Sequence, residues 1–177
     1  MELNDALANK RKEILALWVE RTLDSYVSPG FFKRSKDAFA NPVGVSIAHG
    51  LTSLFDLLQA NADPIAFREP LDTVVRIRAV QEFTPSQALA PFLELKWVVR
   101  QIFSSNKETR PLMPLLGDLD CAIDRMTLTA FDIYSACREQ LYQNRVRELK
   151  SGRAILTDAA CPSTLIRQER EKIGTSN

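Results

Sequence analysis

Glycine is scarce in this chain, with six residues in 177. All-β folds depend on glycine-rich turns, so the shortage weighs against them. Histidine occurs once, at His49. That excludes a metal centre built on several histidines and leaves any Ser–His–Asp or Cys–His proposal resting on one residue. The three cysteines, Cys121, Cys137 and Cys161, form neither a C-x-x-C pair nor a zinc spacing. Cys121 and Cys137 fall on what reads as one helix, about 24 Å apart at 1.5 Å per residue, and cannot bridge. An odd, scattered count fits three reduced thiols in a cytoplasmic protein. No apolar run approaches the roughly 18 residues of a membrane span, and Met1 to Asp5 lacks the basic start and apolar core of a signal peptide. The expectation is a cytoplasmic protein without a membrane partner.

Charge of one sign is also lacking. Lys and Arg number 23 against 22 Asp and Glu, a net of +1. Phosphate binding is driven by a basic excess, so nucleic acid is not an expected partner. The imbalance is local. From Arg145 to the C-terminus seven basic residues stand against four acidic ones, leaving that end near +3 and the rest near −2. Di-iron bundles need Glu-x-x-His pairs, and the sequence has none. No glycine-rich phosphate loop is present either.

Proline supplies most of the punctuation. Four of the nine prolines directly follow a helix-capping residue: Ser28-Pro29, Asn41-Pro42, Asp63-Pro64 and Thr84-Pro85. A capping side chain satisfies free N–H groups of the first turn, and proline just inside that turn loses no hydrogen bond. Thr84 and Gln87 have the spacing of a capping box. These signals predict helices at roughly 2–26, 29–39, 42–60, 69–82, 85–105 and 115–150. Apolar stripes support them: Val43, Ile47, Leu51, Leu54 and Leu58 in one segment, and Ala88, Phe92, Leu95, Val99 and Ile102 in another. Pro91 predicts a kink near 87–91. The last segment carries Leu119, Ile123, Met126, Ala130, Ile133 and Cys137, a short heptad seam on a helix longer than one small domain requires. The fold class is all-α: one bundle of about six helices spanning 1–156, then a mobile basic tail at 157–177.

Few residues suggest chemistry. His49 falls with Ser46, Ser53 and Asp56, opposite the apolar stripe, and reads as a polar-face histidine; a haem ligand or proton sensor is the alternative. No haem or tightly held metal is expected. Asp118, Asp120 and Asp124 open the last helix, where carboxylates complement the macrodipole. Arg78 and Gln81 project from the apolar face of segment 69–82, with Glu82 one turn beyond Arg78. The plain reading is an Arg78–Glu82 pair. The functional one is a polar cluster for a small ligand or a subunit contact, in which Arg78 would hold an anion. Trp97, off the main stripe and flanked by Lys96 and Arg100, reads either as intradomain packing or as an interface anchor. Gly44 and Ala48 suggest a close helix approach. With one histidine and no convergent carboxylate pair, the chain is not expected to be an enzyme.

The runs Phe39 to Gly44, Ile77 to Phe83 and Thr84 to Ala88, followed by Phe92 and by Lys96 to Arg100, resemble the N-terminal domain of RsbRD-type proteins, RsbR-like co-antagonists in bacterial stress signalling. The resemblance covers residues 1 to about 150. It implies an all-helical sensory module related to the non-haem, globin-like sensors of RsbR proteins, with a long last helix leading to a STAS domain that binds a switch kinase. Fewer than 30 residues follow that helix here, too few for a STAS domain. The expectation is therefore a sensory or regulatory module without that output. It would form a homodimer and relay its signal to a regulatory protein, a switch kinase or STAS-type protein among the candidates. The alternative is a small-molecule or haem-binding sensor or carrier.

Overall fold

The computed structural model describes residues 2–26, 29–30, 41–81 and 83–151. Among these every element of secondary structure is a helix. The chain comprises α1 (Leu3–Asp24), α2 (Pro42–Gln59), a 3-10 turn at Pro64–Phe67, α3 (Arg68–Val80), α4 (Pro85–Ser105), a second 3-10 segment at Arg110–Leu116, and α5 (Gly117–Lys150). Residues 31–39 of the helix expected at 29–39, and the whole of the tail expected at 157–177, lie outside the described residues.

Helix starts follow the expected chemistry. The Asn41 side chain accepts from the Gly44 N–H at 3.0 Å, and Asp63 accepts from Ile65 N–H at 2.9 Å. Thr84 and Gln87 close a reciprocal box in which Gln87 Oε1 accepts from Thr84 N–H at 3.0 Å. Each bond satisfies a donor that the first turn leaves orphaned. Between α2 and the first 3-10 turn the chain reverses through Asn61 at φ 48°, a left-handed conformation that asparagine tolerates better than most residues.

The described residues up to Cys137 form one compact unit and those from Arg138 to Ser151 belong to another. In the first, α1 packs on α2 and α4, and α3 packs on α2 and α4. Trp18, Leu51, Leu54, Phe55, Leu71, Phe92, Leu95 and Phe103 are fully buried at its centre. Leu119, Ile123, Met126, Ala130 and Cys137 of α5 face this core, as the seam predicts. Tyr134, not Ile133, completes the row: Ile133 is half-buried, whereas Tyr134 is buried and its hydroxyl donates to Phe83 O at 2.6 Å. A tyrosine can enter a core where its O–H finds an acceptor.

The close helix approach occurs at Gly50, not at Gly44. A Cβ on Gly50 would meet Val74 Cγ2 at 2.5 Å and Pro70 O at 3.3 Å, so α2 and α3 touch there. A Cβ on Gly44 would instead meet the side chain of its own cap, Asn41, at 2.4 Å. Gly44 serves the cap, and Gly50 serves the packing.

Candidate functional site

The sequence-predicted residues separate into two places on the first unit. The first centres on Arg78, whose side chain is wholly buried at the end of α3. Its Nη2 donates to Ser25 Oγ at 3.0 Å and to Gln87 O at 2.8 Å. The guanidinium carbon stands 4.2 Å from the centre of the Phe83 ring and 5.1 Å from that of Tyr26, and these two rings meet edge to face. Rings so placed hold a cation by their quadrupoles. No carboxylate pairs with Arg78 among the described residues, and its Nε and Nη1 have no hydrogen-bond partner there. Burial pushes the guanidinium pKa down, and Tyr26 and Glu94 oppose that shift. Burial likewise pushes the Tyr26 phenol up, against the pull of Arg78.

The Gln87 bond has a local cause. Pro91 lies inside α4 and has no N–H, so the carbonyl of Gln87 lacks its i+4 helical donor. Arg78 supplies that donor from another helix, and α4 runs on to Ser105. Trp18 Nε1 donates to Pro91 O at 2.7 Å, so two side chains from different helices converge on the proline turn. Gln81 is exposed at the C-cap of α3, apart from the buried Arg78. Glu82, the expected partner of Arg78, lies outside the described residues.

The second place is the outer face of α4. Trp97 is half-exposed, with Leu93 half-exposed one turn before it. The Arg21 guanidinium carbon lies 4.3 Å from the centre of the Trp97 ring, and Arg21 Nε pairs with Glu94 Oε2 at 3.2 Å. Lys96 and Arg100 turn instead toward α5. Lys96 Nζ pairs with Asp124 at 2.6 Å, and Arg100 makes a two-pronged pair with Asp120. That bond raises the Arg100 pKa further. Two of the acidic residues that open α5 thus tie it to α4, through ion pairs that salt would screen. His49 is exposed on α2.

Sequence reasoning found Arg78, Trp97 and Arg100 but missed what surrounds them: Ser25, Tyr26, Phe83 and Gln87 around the first, Arg21 and Glu94 beside the second. One signal was available. A proline six residues inside a helix announces an orphan carbonyl, and an arginine on an apolar face is a donor in search of one.

Comparison with known proteins fits this architecture. The chain is 26% identical over 140 residues to an uncharacterized protein of Archaeoglobus fulgidus, covering 78% of this chain and 83% of that one. No solved structure matches it. Residues 12–149 match the family described as the RsbT co-antagonist protein rsbRD N-terminal domain. That span takes in every described helix from the third turn of α1 to Leu149, the last residue but one of α5, and the chain belongs to this family.

Proposed function

We propose that this protein is a non-enzymatic sensory module that passes a regulatory signal by protein–protein contact through α5. Membership in a family of co-antagonist N-terminal domains carries the reading. The surface of α5 supports it. Within the first unit Leu128 and Phe131, three residues apart, are 67% and 47% exposed on the side of the helix away from Ile123, Met126 and Ala130. Within the second unit Tyr142 and Leu149, seven residues apart and so on one helix face, are 67% and 56% exposed. Large apolar groups repeated on an outward face suit a contact with another helix. The partners proposed are a second copy of the chain and a regulatory protein of the switch-kinase or STAS type that the family implies.

Sedimentation velocity on three variants tests the reading. The full chain should be a dimer, and truncation after Lys150 should leave it so. Truncation after Gln140 should give a folded monomer. Ile133→Asp should unfold or dissociate the protein, because it sets a charge beside the core-facing row. Monomers of equal stability for the full chain and the Gln140 truncation, with no binding to a purified switch kinase or STAS protein, would sink the proposal.

A further inference from the structure

A cavity of about 290 Å³ opens between the end of α2, the 3-10 turn and the middle of α5. Leu58, Phe67, Ala122 and Met126 supply apolar wall. Asp63 and Arg125 also line it, and both are exposed, so one group of each sign stands at the mouth. Arg125 has no ion-pair partner among the described residues. Among the described residues the Asp63 carboxylate is engaged through Oδ1 alone, by the Ile65 N–H. The buried Arg78 cluster is elsewhere, at the other end of α3.

We propose that this cavity binds an apolar α-amino acid, its side chain against Phe67 and Met126, its carboxylate on Arg125 and its ammonium on Asp63. Size comes first. An apolar cavity of roughly 150 Å³ takes one benzene, so this one has room for a molecule about twice that size, such as phenylalanine. Charge comes second: a simple carboxylic acid would meet Asp63 unfavourably, and a simple amine would meet Arg125 unfavourably. A zwitterion with an apolar body answers both groups and the wall together. Methionine in the wall adapts to more than one side-chain shape, which predicts tolerance among phenylalanine, leucine and methionine. The inference deepens the sensory reading and rests on it for its purpose, because Ala122, Arg125 and Met126 occupy adjacent turns of α5, the helix proposed to carry the output.

Isothermal titration calorimetry on the full chain tests it with L-phenylalanine, L-leucine, 3-phenylpropanoate and phenethylamine. The amino acids should bind at least tenfold tighter than the acid or the amine. Arg125→Gln and Asp63→Asn should each weaken phenylalanine at least tenfold; asparagine keeps the cap on Ile65, so a loss there reports the charge. Ala122→Leu should fill the wall and abolish binding without lowering the melting temperature. No binding of either amino acid, equal binding of 3-phenylpropanoate, or an affinity indifferent to Arg125→Gln would overturn the proposal. The titration reads the chain whether it is a monomer or a dimer. Failure here therefore leaves the α5 contact standing, and a monomeric full chain leaves this site standing.

Discussion

Arg78 Nη2 lies 2.8 Å from the carbonyl oxygen of Gln87, the one acceptor in α4 that Pro91 deprives of its helical donor. A charged side chain of α3 thereby mends a backbone defect in α4. The arrangement explains why an arginine with no carboxylate partner among the described residues is tolerated in the interior. Its Nη2 meets a carbonyl and a hydroxyl, and its faces meet two aromatic rings.

Arg78 and Pro91 should therefore be coupled. Arg78→Ala should destabilise by about 2–3 kcal/mol, through the lost charged hydrogen bonds and the void left behind. Pro91→Ala restores an N–H for Gln87 O, so it should be more favourable in the Arg78→Ala background than in the wild type. The difference should be about 1 kcal/mol, one hydrogen bond. A double-mutant cycle by urea denaturation measures it; a coupling of zero would mean that the 2.8 Å contact carries no stability.

Gly50 should resist replacement even by alanine, the best helix former. Helix propensity alone favours Gly50→Ala by about 1 kcal/mol. The new methyl would stand 2.5 Å from Val74 Cγ2, however, and overpacking costs about 1–3 kcal/mol. The expected net is a loss, recovered in part by Val74→Ala in the same chain. Thermal denaturation of the single and double variants decides between the two terms.

Tyr26 links stability to alkaline pH. Burial lifts its phenol above the ordinary value of 10.0, while the unfolded chain keeps that value. Below it both states hold the proton and the stabilisation is complete. As pH rises past it the unfolded phenol ionises first, so stability falls until the folded phenol ionises too. Between about pH 9 and 11 the wild type should lose more stability than Tyr26→Phe. Arg78 pulls the phenol down, so an ultraviolet titration should find a still higher Tyr26 pKa in Arg78→Ala. A lower one would mean that the two side chains do not face each other as described.

Local chemistry made the helices legible without a fold. Asn41, Asp63 and Thr84 cap because their side-chain oxygens reach N–H groups two or three residues on, a relationship contained within one turn. The stripe of Ile47, Leu51, Leu54 and Leu58 is buried because 3.6 residues per turn puts these positions on one face, whatever they pack against. The identity of Arg78 as an anomaly was local too, being a charge on an apolar face.

Which partner answers each side chain was decided only by tertiary structure. Nothing within one turn of Arg78 indicates Gln87 O or Ser25, which lie nine and 53 residues away in sequence. The pairing exists because α3 packs on α4 in one particular register. Gly50 shows the same limit, since a missing side chain leaves no trace of the valine that takes its space. So do Arg125 and Asp63, 62 residues apart and unremarkable along the chain. They flank one cavity because the turn at Asn61 and the 3-10 helix after it leave a gap against α5. Capping and periodicity are short-range and can be read residue by residue. Shape complementarity between helices depends on all the faces at once, and only the folded chain expresses it.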